Sequence, residues 1–427
     1  VQAQESREYR YYLLFVMLIG YSLNFLDRQI ISILLQPIKE DLLLSDTMLG
    51  FLSGLSFALF YATLGIPIAA LADRKSRRAI VSISMAVWSV MTAACGLAQN
   101  FFQLLLGRFG VGIGEAGFTP ATLSMIADTF PKEQRATAVA VTSAGAMLGV
   151  MLGLVIGGYV AQHWGWRTAM LVAGVPGILF SAVFWFTVRE PVRGASDGIS
   201  AKSETSSLWT SAAILWRIRS FRFIALGAGV SSACVYGYSI WLPSLLARSY
   251  GMKPAEIGLL LGPVLGGVGV VGALVSGYLC DRLMRRDLRW TIWIPAIASA
   301  VAMCFAIASL LTSSAPLLIG LYAFAYLLSM FFSASTSSII QSLVPIEMRA
   351  TSVAWKMLMV NLVGLGLGPQ AIGALSHFLS ARGDDESLRT AMLMATPIFL
   401  IPTVLYLIAA RTMREDADRI TGPAPTH

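Results

Sequence analysis

The sequence predicts an all-α integral membrane protein whose chain crosses the bilayer twelve times, in two pseudo-symmetric halves of six helices. Composition, the spacing of apolar runs and an internal repeat carry that prediction. Of 427 residues, 56% are hydrophobic and 13% charged, with a mean hydropathy of +0.71. A water-soluble domain cannot hide so much apolar surface, because burial saturates with size and leaves a mixed exterior. Hydrocarbon accepts it.

A helix needs about 20 apolar residues to cross roughly 30 Å of hydrocarbon. Runs of that kind occur at 10–36, 47–72, 79–99, 102–129, 135–161 and 167–188, then at 219–247, 255–280, 290–312, 315–343, 350–377 and 388–411. The long polar break is 189–218, so the first half is expected over 1–188, a linker over 189–218 and the second half over 219–427. Within the linker, Leu208, Trp209, Ala212, Leu215 and Trp216 share one side of 205–222, with Arg217, Arg219 and Arg222 nearby. That pattern predicts a short helix lying in the membrane interface.

The net charge of +8 does not indicate a nucleic-acid partner, because the basic residues sit in short loops between apolar runs. With both termini placed in the cytoplasm, cytoplasmic segments hold 22 Lys/Arg and external segments 6, with Arg28, Arg108 and Lys356 inside spans. This bias predicts that both ends face the cytoplasm. A miscounted span would have scrambled the alternation.

The repeat is visible as Pro131-Lys-Glu-Gln-Arg-Ala-Thr-Ala-Val-Ala140 against Pro345-Ile-Glu-Met-Arg-Ala-Thr-Ser-Val-Ala354, seven identities in ten at a spacing of 214. Asp73-Arg74-Lys-Ser-Arg77-Arg78 likewise recurs as Asp281-Arg282-Leu-Met-Arg285-Arg286. Each pair falls in the same loop of its own half. Parallel repeats of this kind place a binding site at their interface near the midplane.

Ionisable residues inside spans cost at least about 2.5 kcal/mol each on insertion scales, which makes them functional suspects. They are Asp27, Arg28, Arg108, Glu115 and Lys356. At 1.5 Å per residue, Asp27 lies ~25 Å above the inner end of its span, Arg108 ~9 Å below the outer end of the fourth, and Glu115 ~20 Å below it. Arg108 and Glu115, seven apart, share a helix face, and that face is expected to point at Asp27. The bland alternative is an ion-pair cluster that only staples two helices. Arg28 sits about 100° around the helix from Asp27, so the two should serve different partners. Lys356, ~9 Å from an inner helix end, has the length to snorkel to headgroups or to line a cavity. A carboxylate's proton affinity rises on desolvation and falls beside a guanidinium, so a rearrangement that separates the two takes up a proton. Asp27 and Glu115 are therefore the expected proton carriers.

Other signals are bland. Gly112-Ile-Gly114-Glu-Ala-Gly117 matches a dinucleotide fingerprint but has no preceding strand and sits in mid-span, so close helix packing is the better account. Gly145, Gly149, Gly153 and Gly157 form a stripe at every fourth position of the fifth span. Cys95, Cys234, Cys280 and Cys304 lack metal-ligand spacing and read as buried thiols. No P-loop, metal cluster or nucleophile constellation appears, so no cofactor, metal or enzymatic activity is expected. The N-terminal run VQAQESREYR leads into a stretch too long for a cleavable leader, and the start on Val1 is expected to lie within a longer natural chain.

The two Asp-Arg-x-x-Arg-Arg loops and the six-plus-six arrangement resemble the major facilitator superfamily over essentially the whole chain. Its loop motif is complete from Gly277 to Arg286, whereas the first copy has Ala69 in place of the glycine. The resemblance implies a gating role for Asp73, Arg74, Arg77, Arg78, Asp281, Arg282, Arg285 and Arg286. Gly149 to Gly158 resembles a superfamily motif associated with antiporters, with Leu154 where that motif has proline. Tyr21-Ser-Leu-Asn24-Phe-Leu-Asp27-Arg28, and Gly107-Arg108 through Glu115 to Asp128-Thr-Phe-Pro131, resemble the Spinster branch, which includes lysophospholipid and sphingosine-1-phosphate exporters.

That likeness implies a bacterial member, a monomer that exports an amphipathic lipid by alternating access, with substrate and protons handled by Asp27, Arg28, Arg108 and Glu115. Asn24 lies in the same stretch. A lipid phosphate needs cations for its headgroup, here Arg28, Arg108 and Lys356, and an apolar slot for its tail. Phe57, Phe60, Tyr236, Trp241, Phe331, Phe332 and Trp355 are candidates for the slot. A proton-coupled symporter of a small organic anion, and a membrane sensor that only binds its solute, are the competing expectations.

Overall fold

The computed structural model describes residues 6–72, 75–192, 208–344 and 348–421. Among them the chain is helical, with no strand. Ten helices among the described residues are long and apolar enough to cross a membrane. The count of twelve follows from two local features. One candidate, within α7 (Lys132–Thr187), holds the fifth and sixth spans, joined at Gly165 with φ 83°, a left-handed value at which a side chain would be strained. The fourth span is missed by length because it is broken into α5 (Phe101–Glu115) and α6 (Phe118–Thr129).

The first span is α1 (Arg7–Leu42), longer than its apolar run because polar turns extend it at both ends. The second comprises α2 (Asp46–Gly50), a π-helical turn (Phe51–Leu55) and α3 (Ser56–Ala72), and the third is α4 (Arg77–Cys95). The expected linker helix is α8 (Leu208–Arg217), ending at a bend on Ile218 before α9 (Arg219–Tyr250). Its Leu215 is buried while Ile214 and Trp216 are exposed.

Two compact units emerge from packing: residues 1–203 with 242–267, and residues 204–241 with 268–427. The boundary differs from the sequence division because the end of α9 and the start of α10 (Pro254–Pro263) pack into the first unit. A Cβ added to Gly158 would stand 2.3 Å from the Pro254 carbonyl, and one on Gly258 2.2 Å from that of Leu154, so both helices need glycine to meet. Beyond the end of α1, buried Asp46 accepts from both terminal guanidinium nitrogens of Arg248 at 2.7 and 2.8 Å and from the Lys39 ammonium at 2.7 Å, while Arg248 Nε donates to Gln36 at 2.6 Å. Asp46→Asn strands two cations and is expected to cost about 2 kcal/mol, read as a lower thermal midpoint in detergent.

The glycine stripe sets helix against helix. Gly145, Gly149 and Gly153 lie against the backbone of Leu18, Ser22 and Leu26, and Gly157 against the Ile30 side chain, so α1 and the start of α7 run parallel in contact. The Ser22 hydroxyl donates to the Gly145 carbonyl at 2.9 Å across the seam. A Cβ on Gly149 would meet the Ser22 carbonyl at 2.2 Å. Gly149→Ala is therefore expected to cost about 1–3 kcal/mol through overpacking, measured as loss of monodisperse protein on heating.

The second unit repeats the devices. It holds α11 (Gly269–Met284), α12 (Trp290–Leu311), α13 (Ala315–Ser329), α14 (Phe331–Ser342), α15 (Arg349–Met359), α16 (Gly368–Ser380), α17 (Ser387–Ala395) and α18 (Leu400–Thr421). A π-helical stretch occupies Val360–Leu367, and the tenth span breaks at Met330 as the fourth does after Glu115. Gly364 and Gly368 face Ser232 and Ala233 of α9, as the stripe on α7 faces α1.

Candidate functional site

Four charges of the first unit, Asp27 and Arg28 on α1 and Arg108 and Glu115 on α5, meet beside α3 and α4. Glycines set the frame. Cβ atoms on Gly112 and Gly114 would stand 2.9 Å from the Phe57 carbonyl and 2.5 Å from the Trp88 nitrogen, so α5 seats α3 and α4 through them. The fingerprint-like motif is thus a packing motif. α5 then ends at Glu115, and the break at Ala116–Gly117 leaves that carboxylate at the end of a half-helix. The π-helical turn on the second span widens the backbone beside it. Its Leu52 carbonyl accepts from Arg108 Nε at 3.4 Å and from the Ser56 hydroxyl at 2.9 Å.

Inside this frame the Arg28 guanidinium donates twice to one oxygen of Glu115, at 2.5 Å from Nη2 and 3.1 Å from Nε. The Glu115 side chain is fully buried and that of Arg28 is 10% exposed. The other carboxylate oxygen, Oε1, has no hydrogen-bond partner among the described residues, and the Asn24 carboxamide lies beside Glu115 without reaching hydrogen-bonding geometry. Asp27 repeats the pattern: Oδ2 accepts from the Thr92 hydroxyl at 2.7 Å, while buried Oδ1 has no such partner. Arg108 and Glu115 both lie within electrostatic range of Asp27. The Arg28 guanidinium covers the rings of Phe25, Phe57 and Tyr61 at 5.0, 4.8 and 5.0 Å, and Arg108 lies 5.5 Å from the Phe57 ring. Such faces replace part of the hydration that a buried cation loses.

Two arginines and two carboxylates make a cluster that is neutral when fully ionised. The unused carboxylate oxygens are atoms that can take a proton or accept a hydrogen bond from a ligand. An anion arriving at Arg28 competes with Glu115 for the same guanidinium.

The pairing differs from the sequence expectation. Arg108 and Glu115 share a face, but Glu115 takes Arg28 and Asp27 takes Thr92. The cause is the 100° step between Asp27 and Arg28, which turns one toward α4 and the other toward the end of α5. Thr92, Tyr61 and the Leu52 carbonyl carry no sequence signal, since a hydroxyl, a ring or a backbone oxygen in a span is ordinary.

The remaining expected residues lie in the second unit or at the loops. Lys356 does not snorkel: it is 1% exposed and its ammonium donates to Ser337 of α14. The Trp241 indole is fully buried and donates to the Pro369 carbonyl at 2.8 Å. Tyr236 and Trp355 are half-buried, as is Phe60, which packs on Phe109 at 4.5 Å. Phe331 and Phe332 are buried, the first in a core with Cys280, Ile294 and Ala298. Cys304, expected to be buried, is exposed on a helix face.

Asp73 and Arg74 lie outside the described residues. Arg77 is 2% exposed and joins three segments of the first unit. It donates to Glu190 at 3.0 Å, to Ser124 at 3.1 Å, to the Pro191 carbonyl at 2.7 Å, and to Asp128. Glu190 in turn caps α4, accepting from the backbone of Arg77 and Arg78 at 3.1 and 2.8 Å and from the Ser76 hydroxyl at 2.6 Å. Arg78 lies over the Trp185 ring at 5.1 Å. In the second copy Asp281, Arg285 and Arg286 are exposed, and Arg282 donates to Tyr278 at 2.9 Å. The two loops are alike in sequence and unlike in burial.

Residues 17–369 match the Major Facilitator Superfamily. A solved structure described as a bacterial homolog to human lysosomal transporter, Spinster, superposes with a TM-score of 0.89 at 30% identity, covering 98% of this chain and all of that one. An MFS-type efflux pump of Mycolicibacterium smegmatis is 34% identical over 92% of this chain and 91% of its own. A probable L-galactonate transporter of Escherichia coli is 31% identical over 62% of this chain and 60% of its own. Sphingosine-1-phosphate transporter SPNS2 of Danio rerio is 25% identical over 92% of this chain and 81% of its own. The chain belongs to the major facilitator superfamily and is a membrane transporter of the Spinster type.

Proposed function

We propose that this protein is a proton-coupled secondary transporter that exports an amphipathic anion, a lysophospholipid or sphingoid phosphate, by alternating access. The observation that carries the proposal is the buried Arg28–Glu115 pair, with Asp27 and Arg108 beside it and carboxylate oxygens that no donor among the described residues occupies. A phosphate at Arg28 frees Glu115 from its guanidinium, and the change in environment lets the carboxylate take a proton. Release of the phosphate restores the pair and expels the proton. Substrate and proton thus bind and leave together, and this couples their flows. The aromatic rings around Arg28 offer the first methylenes of a tail an apolar wall. In this reading Asn24, beside Glu115, contacts substrate, and Tyr236, Trp241, Trp355 and Lys356 are the second unit's candidates. Both termini face the cytoplasm of an inner membrane in this reading, which rests on the loop census, and the monomer is the transporting species.

A small organic anion is the second reading, favoured by the likeness to the L-galactonate transporter. Chain length separates the two. Thermal shift and proteoliposome flux should strengthen along a lysolipid series as the tail lengthens, because each buried methylene contributes about 0.8 kcal/mol. A response confined to sugar acids and independent of any tail would select the second reading.

A further inference from the structure

A cavity of about 700 Å³ opens in the first unit where α1 and α7 begin, away from the buried cluster. Helices α1 and α7 run parallel, with Leu18 against Gly145 and Leu26 against Gly153, so Arg7 and Arg10 come level with Gln134 and Thr137 one helical offset back. Arg7, Arg10, Tyr11 and Gln134 form its polar rim, and Leu14 and Phe130 part of its apolar wall. Among the described residues that line it there is no carboxylate. Arg7 donates to the Tyr11 hydroxyl at 3.2 Å, which aims the phenol and guanidinium at one place. The buried Arg10 Nε has no hydrogen-bond partner among the described residues. Two cations, a hydroxyl and an amide above an apolar wall match a phosphate carried on a hydrocarbon chain. The loop census places this end of both helices at the cytoplasmic face, where anionic lipid headgroups lie.

We infer that the cleft between the starts of α1 and α7 is a headgroup site for a chain-bearing phosphate on the cytoplasmic leaflet, separate from the buried cluster. Its occupant is either a single-chain phosphate awaiting transport or a two-chain anionic phospholipid of the bilayer, and both present the same chemistry. Only the loading role rests on the proposed function.

Binding to the purified full chain in detergent tests it, with oleoyl lysophosphatidate as probe and Arg7→Gln/Arg10→Gln as the variant. Arg7 is exposed and Arg10 half-buried, and neither pairs with a described carboxylate, so the variant should fold. The expected result is about tenfold weaker binding by the double variant, since two charge-assisted hydrogen bonds in a partly hydrated cleft are lost. Neutral monoolein and inorganic phosphate should compete poorly. Displacement by dioleoyl phosphatidate at equal concentration would identify the occupant as a resident phospholipid, and its failure to compete would identify the single-chain species. Equal binding by variant and wild type, or no binding by wild type, overturns the site. Glu115→Gln in the same assay should leave the Arg7/Arg10-dependent component in place. Retained gradient-driven flux in Glu115→Gln would overturn the transport reading while leaving this site standing, and loss of the Arg7/Arg10 dependence with flux abolished would overturn this site alone.

Discussion

Glu115→Gln should abolish pH-gradient-driven transport while leaving counterflow measurable. For one coupled proton, each pH unit of gradient is worth about 1.4 kcal/mol, a roughly tenfold concentration ratio. Wild-type proteoliposomes should reach ratios of that order, and the variant a ratio of about 1. Glutamine keeps the size of glutamate and a carbonyl that accepts from Arg28, but it cannot exchange a proton. Arg28 retains three aromatic faces and slight exposure, so the stability loss should stay near 1–3 kcal/mol and the variant should fold. Asp27→Asn keeps the acceptor for Thr92 and should behave alike. Full gradient-driven accumulation by both variants would reduce the cluster to a staple between α1 and α5.

The second large effect is on folding. Arg77→Ala removes the donors that hold Glu190, Asp128, Ser124 and the Pro191 carbonyl together. Breaking a buried pair by removing one partner costs about 3–5 kcal/mol, and the thermal midpoint in detergent should fall accordingly. Lysine should recover little, because one ammonium cannot reach three segments as a planar guanidinium does. Burial pushes the Glu190 carboxyl up, but donors from the Ser76 hydroxyl, the Arg78 backbone, and the Arg77 guanidinium and backbone outweigh it and hold the group below the usual carboxylate range. Such a group stabilises fully above its unfolded value, about 4.3, and loses that contribution as pH falls through its lower folded value. The difference in midpoint between wild type and Glu190→Gln should therefore be constant near neutrality and close below about pH 4. A difference that persisted in acid would assign Glu190 a packing role alone.

The twelve spans were legible because a bilayer imposes its thickness on every one of them. The breaks inside spans, after Glu115 and at Met330, leave hydropathy unchanged and so leave no trace in it. The glycine stripe of Gly145, Gly149, Gly153 and Gly157 was legible as a seam, since four-residue spacing is one helix face. Its partner on α1 was not, because a seam in sequence does not name what fills it. Glu190, an acid at the start of the linker, carries no sequence signal of its partners. Its role depends on the end of the sixth span returning beside the start of α4, a contact across more than a hundred residues.

Sequence by itself determined the membrane class, the number of spans, the repeat and the short list of buried charges. All four follow from one-dimensional quantities: hydropathy, spacing, and the cost of an ionisable group in hydrocarbon. Tertiary structure alone decided who pairs with whom. Asp27 and Arg28 are adjacent in sequence, yet the helical step sends one to Thr92 and the other to Glu115, while Lys356 turns inward to Ser337. Arg77 and Arg285 occupy matching places in the repeat, and only the first is buried against acids. Partner choice is a property of three-dimensional packing, because a charge in a membrane is stabilised by whichever donors and rings the neighbouring helices bring within a few ångströms.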